Sequence, residues 1–170
     1  PKGVAAADLD GDGDTDLLAA CISSGRVAVL LGDGQGGFAG PTWLPAGRMT
    51  VGVAAADCDG DAVPDVAAAN YGYDDIYVYR GLGQGAFAAP EVLPATASVA
   101  DLALEDLNGD QTVDIVASGM KGCVCLLNEA GSFGPATLVL DDDPVETTAG
   151  DFDGDQILDL AVMHGSPGQV

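Results

Sequence analysis

A nine-residue run of alternating aspartates, repeated four times at nearly constant spacing, constrains this chain more than any other feature. The copies are Asp8-Leu9-Asp10-Gly11-Asp12-Gly13-Asp14-Thr15-Asp16, Asp57 to Asp65, Asp106 to Asp114 and Asp151 to Asp159. Their first residues lie 49, 49 and 45 positions apart. Carboxylates crowded this closely repel one another by something on the order of several kcal/mol unless a cation lies among them. Each copy therefore calls for a metal ion. A period near 50 residues describes stacked units of supersecondary structure, not four independent domains.

Short apolar runs flank every copy. In the first unit Gly3 to Ala7 leads in and Leu17 to Ile22 leads out; Ser23-Ser24-Gly25 then turns the chain into Arg26 to Leu31, and a Gly-rich stretch turns it into Phe38 to Leu44. The runs are too short for helices, and every gap carries Gly, Pro, Asn or Asp, so four strands per unit are expected. The second unit places its last run at Phe87 to Leu93 and the third at Phe133 to Leu138. The Ala-rich first strands, Ala5-Ala6-Ala7 and Ala54-Ala55-Ala56, suit a crowded inner rim where strands from several units converge. The expected fold is all-β: a β-propeller of four-stranded antiparallel blades, about three and a half of them. Residues 1–47, 48–96 and 97–143 make three blades, and 144–170 the first half of a fourth. Three and a half blades leave strand edges open. The chain is therefore expected to be a piece of a longer one whose remaining blades complete the ring, with a second copy as the alternative.

Charge is one-sided, with 27 Asp and Glu against 5 Lys and Arg and a net charge of −22. Sixteen of the acidic residues lie in the four repeated runs, so the acidity is mainly a property of the metal loops; an acid-coated, salt-adapted surface is the competing explanation. Such a field disfavours nucleic acid and anionic membrane, which need Lys and Arg to meet phosphate. No apolar run approaches the ~18 residues of a spanning helix, so membrane insertion is not expected. Cys58, Cys123 and Cys125 stand where other units carry Leu, Phe, Ile or Val, and free buried thiols are the expectation.

Calcium takes six to eight oxygens and tolerates irregular cages. A nine-residue loop offers side chains from positions one, three, five and nine and a backbone carbonyl from position seven. The candidate ligands are Asp8, Asp10, Asp12, the Asp14 carbonyl and Asp16; Asp57, Asp59, Asp61, the Val63 carbonyl and Asp65; Asp106, Asn108, Asp110, the Thr112 carbonyl and Asp114; and Asp151, Asp153, Asp155, the Ile157 carbonyl and Asp159. Up to four Ca²⁺ ions are expected, in a structural role. Glycine occupies position four of every loop, where the chain must bend. An EF-hand is excluded, because position six is Gly13, Ala62, Gln111 and Gln156 and position twelve of the first loop is Ala19. Magnesium and manganese suit so carboxylate-rich a cage less well.

Together with the aspartate loops, Gly36-Gly37-Phe38-Ala39-Gly40-Pro41, Gly85-Ala86-Phe87-Ala88-Ala89-Pro90 and Gly131-Ser132-Phe133-Gly134-Pro135 resemble the FG-GAP (VCBS) repeat of integrin α-subunit propellers, bacterial surface proteins and fungal lectins. The resemblance extends over essentially the whole chain. It implies a propeller, usually seven-bladed, with structural calcium between the first and second strands of each blade. It leaves the ligand open. The face opposite the loops carries Tyr71, Tyr73 and Arg48, and exposed aromatic rings with a polar tip suit stacking on a sugar or anchoring a protein. Trp43, aligned with Val92, is read as packing between blades. His164 is the lone histidine, and no nucleophile and base stand out from the repeats. The expected function is non-enzymatic recognition or adhesion, with a glycan or an extracellular protein as partner and a secreted or cell-surface location. A propeller-type polysaccharide lyase and a purely structural spacer are the alternatives.

Overall fold

The computed structural model describes residues 1–95, 98–141, 144–155 and 158–164. Among them every regular element is a strand. Strands β1 (Val4–Ala7), β2 (Asp16–Cys21), β3 (Arg26–Leu30) and β4 (Thr42–Pro45) form one antiparallel sheet in chain order. The next stretch runs β5 (Thr50–Ala56), β6 (Asp65–Asn70), β7 (Asp75–Tyr79), a small pair β8 (Gly81–Gly83) and β9 (Ala86–Phe87), then β10 (Glu91–Pro94). Here β5, β6, β7 and β10 make the second four-stranded sheet. The third repeats the plan with β11 (Val99–Glu105), β12 (Asp114–Gly119), β13 (Gly122–Leu126), the pair β14 (Asn128–Glu129) and β15 (Ser132–Phe133), and β16 (Thr137–Leu140). A last hairpin pairs β17 (Pro144–Gly150) with β18 (Asp159–His164).

The fourth strand differs from expectation. The runs beginning at Phe38, Phe87 and Phe133 do not continue unbroken into the sheet: the phenylalanine closes a small hairpin, or in the first unit a single bridge from Gly32 to Phe38, and the sheet strand starts four residues later. Pro41, Pro90 and Pro135 sit in these gaps. Proline has no N–H to give to a ladder, so the chain breaks there and re-enters as an edge strand.

The core lies between sheets. Along β6, Val66 and Ala68 pack with Leu18, Ala20, Val27 and Val29 of the first sheet. The alternate residues Ala67 and Ala69 pack with Ile115, Ala117, Val124 and Leu126 of the third. The period of two that would give a one-sided strand is here read by two cores, and all six residues of β6 are buried. The inner strands β1, β5, β11 and β17 stand side by side, close enough that a Cβ on Gly3 would lie 2.6 Å from the Val51 carbonyl oxygen. Trp43 does not pack between blades. It is 45% exposed, with the Arg26 guanidinium 5.9 Å from its ring centroid. The four cysteines are free, Cys58 and Cys123 buried and Cys21 and Cys125 half-buried.

Candidate metal centres

Each aspartate loop joins the first strand of a sheet to the second, and its geometry begins with the last residue. Asp16, Asp65 and Asp114 open the second strands and are buried. Asp16 accepts the Leu9 N–H at 2.7 Å on one oxygen and the Gly32 N–H at 2.7 Å on the other. Asp114 does the same with Leu107 at 3.0 Å and Asn128 at 2.8 Å. Asp65 takes Cys58 at 3.1 Å and Gly81 at 2.8 Å; Asp159 takes Phe152 at 3.1 Å. In the first three loops the ninth carboxylate therefore ties its own loop to the start of the outer hairpin. That hydrogen bonding is what a buried anion requires.

The first carboxylate winds the loop. Asp57 accepts N–H groups from Gly60 at 2.7 Å and Ala62 at 2.8 Å, and Asp8 and Asp106 repeat the pattern with Gly11 and Gly13 and with Gly109 and Gln111. Asp151 accepts from Gly154 at 2.6 Å. In the first three loops positions three and five each take the N–H two residues on, as Asp59 does from Asp61 at 3.3 Å and Asp61 from Val63 at 2.8 Å. The central residues of these Asx-type turns take left-handed backbone. Position four supplies one with Gly11, Gly60, Gly109 and Gly154 at φ between 77° and 85°. Position six is left-handed as well, at Gly13 (89°), Ala62 (68°) and Gln111 (70°). Sequence reasoning missed this, because two of these residues are not glycine.

Three loops gather carboxylates closely. One oxygen from each of Asp8, Asp10 and Asp16 lies within 4.8 Å of the others, and the same holds for Asp57, Asp59 and Asp61 and for Asp151, Asp153 and Asp159. Oxygens bound to one calcium at 2.3 to 2.6 Å stand at most about 5 Å apart, so each group fits around a single ion of that size. In the third loop Asn108 replaces one carboxylate, and its amide donates to Asp110 at 2.9 Å. Asp14 turns its carboxylate onto Gly34, leaving its carbonyl free of that contact. Ile157 lies outside the described residues. Burial and neighbouring carboxylates push Asp10 and Asp59 above the ordinary range. At Asp57 burial acts upward, but the N–H groups of Ala62, Gly60, Asp59 and Asp61 outweigh it and hold the carboxyl low.

The loop of the second sheet is walled by the outer hairpin of the third. Asn128 Nδ2 donates to the Cys58 carbonyl at 2.6 Å, and a Cβ on Gly131 would touch Asp59 at 3.0 Å. Arg80 follows β7; its Nη1 donates to Asp65 at 2.7 Å, its Nη2 donates to the Gly131 carbonyl, and it lies 5.5 Å from the Phe133 ring centroid. Burial pushes the Cys58 thiol up to about 12, with Asp65 adding to the shift.

On the opposite face the turns after β2, β6 and β12 follow one another. Tyr71 is half-buried, packed on the second core, with its hydroxyl on the Met120 sulfur. Lys121 Nζ donates to Asp74 at 3.0 Å, and Asp74 also accepts the Ser98 N–H at 2.7 Å. Tyr73 is 57% exposed, and Arg48 and Met49 are exposed on the same face, the Met49 sulfur 3.2 Å from where a Gly72 Cβ would stand. The three candidate ligand residues thus divide into one framework ring, Tyr71, and two exposed side chains.

The family model for the FG-GAP-like repeat matches residues 8–68 and 58–117. The chain belongs to the FG-GAP-like repeat family. No curated protein matches it closely enough to count as a relative. Among solved structures it is similar to a lectin of Agrocybe aegerita described as specifically recognising non-reducing terminal N-acetylglucosamine, at 24% identity and a TM-score of 0.64 over 91% of this chain and 44% of the lectin. It is also similar to BBS1N, solved in complex with ARL6DN (18%, TM-score 0.64, 94% and 49%), and to the Vibrio cholerae biofilm matrix protein Bap1 (22%, TM-score 0.55, 94% and 27%). The chain spans less than half the length of each, and at these identities the likeness concerns the fold. The FG-GAP phenylalanine itself shows how the repeats join: Phe133 is buried under Arg80 of the preceding sheet, whereas Phe38, in the first sheet, is 44% exposed.

Proposed function

We propose that this chain is a calcium-stabilised segment of an FG-GAP propeller from a secreted or cell-surface protein, recognising a glycan or protein through the face opposite the acid loops. In this reading residues 1–47, 48–96 and 97–143 are blades and 144–170 begins a fourth, and further blades, in the same longer chain or a second copy, complete the ring. The observation that carries it is the set of three carboxylate groups, each within 4.8 Å, all placed in the hairpin from first to second strand. The ions would be held by positions one, three, five and nine and the carbonyl of position seven, Ile157 in the last loop. They would supply charge neutralisation and rigidity. Braced turns with Tyr73, Arg48 and Met49 exposed support ligand binding on the other face. Tyr73 would stack and Arg48 would donate hydrogen bonds, while Tyr71 would hold the turn. Neighbours described as a lectin and as a biofilm matrix protein agree with this reading.

A glycan array probed with the calcium-saturated chain, with a chelated sample alongside, tests it. Selective sugar binding that Tyr73→Ala weakens at least about tenfold is the expected result, since a stacked ring at a hot spot is worth about 2 kcal/mol or more. Binding untouched by Tyr73→Ala would move the ligand site elsewhere.

A further inference from the structure

Position nine is not treated alike in the acid loops. Asp16 and Asp114 each accept two backbone N–H groups. Asp65 accepts the equivalent pair and a third donor, Nη1 of Arg80 at 2.7 Å. The residue at the place of Arg80 is Leu31 in the first unit and Leu127 in the third, so neither of those units places a guanidinium there. The carboxylate groups differ at the same place. Those of the first and last loops include position nine, as Asp16 and Asp159, whereas in the second loop Asp61 of position five stands in its stead. Arg80 cannot readily swing away, because Gly131 accepts from its other nitrogen and Phe133 lies against its face.

We propose that Arg80 withdraws Asp65 from the second cation site and supplies part of the missing positive charge itself. The second loop is then a weaker calcium site than the first and last, whose carboxylate groups keep position nine, and its junction with the third sheet persists when the ion leaves. The inference rests on the calcium reading above. A carboxylate has about four lone-pair positions, and three donors leave little for an ion. A fixed guanidinium beside the site also repels a divalent cation.

Calorimetric calcium titration of this chain, read beside thermal melts in chelator, tests the idea. The second-loop step is expected to lie about tenfold or more below those of the first and last loops, since site affinity follows ligand charge count. Asp59→Asn, which disables the second loop, should remove a weak step and leave the tight ones in place. Arg80→Gln should tighten that weak step at least about fivefold while lowering the melting temperature in chelator, and Arg80→Lys, which keeps the charge, should leave it weak. Loss of a tight step on Asp59→Asn, or a second-loop step that Arg80→Gln leaves unchanged, overturns the proposal. Should Arg80→Gln not fold, the wild-type and Asp59→Asn titrations still decide. Equal sites would sink this inference alone, whereas no calcium uptake in any variant would sink the calcium reading with it.

Discussion

Ala62 and Gln111 hold left-handed backbone that Gly13 holds in the first loop, and a Cβ in that region costs roughly 1–2 kcal/mol. Glycine returns part of this through greater unfolded-state freedom. Ala62→Gly and Gln111→Gly should each stabilise the calcium-loaded protein by about 0.5–1 kcal/mol in urea titrations. The ninth carboxylate works in the other direction. Asp114→Ala would leave the N–H groups of Leu107 and Asn128 without their acceptor and should cost about 2–4 kcal/mol, even in chelator. A variant that loses stability only in calcium would show that Asp114 serves the ion alone. The alternating pattern identifies these carboxylates but not their double duty, because the partner N–H of Asn128 lies in a hairpin 14 residues on.

At the scale of elements, the outer hairpins fasten neighbouring sheets. Asn128 donates to Cys58 of the second sheet and to Val113 of its own, and accepts the Gly131 N–H. Asn128→Ala should therefore lose about 2 kcal/mol, with faster amide exchange on both sides of the junction. On the opposite face Asp74 and Lys121 make a second tie. The hydrogen bond from Lys121, opposed by partial burial and helped by Ser98, holds the Asp74 carboxyl below its ordinary range. A lowered folded value means that this contribution is complete above the unfolded value near pH 4 and fades as pH falls through the folded one. Lys121→Met should lower stability at pH 7 by less than about 1 kcal/mol, since the pair is largely exposed, and by nothing once Asp74 is protonated; urea melts at both pH values check this. Strand runs and their order were readable from turn residues and period. The small hairpins were not, because the proline that separates each from its edge strand lies within an otherwise continuous strand-like run.

For the whole molecule, charge is strongly one-sided. Sixteen carboxylates in four loops of a chain at −22 should make it stiffen on binding divalent ions. Chelation should lower the melting temperature by about 10 °C or more, and salt at about 0.5 M should recover part of that loss in the chelated protein and little in the loaded one. An unchanged melt in excess chelator would remove calcium from the account. The fold was legible at this scale because one unit recurs, so each reading was made several times over. Tyr71 as framework and Trp43 as an exposed ring were not, since both depend on which sheet stands alongside. The wall of the second loop is completed late in synthesis. Its Cys58 carbonyl waits for Asn128, 70 residues downstream, so a ribosome adding roughly 5–20 residues per second exposes that loop unfinished for roughly 4 to 14 s.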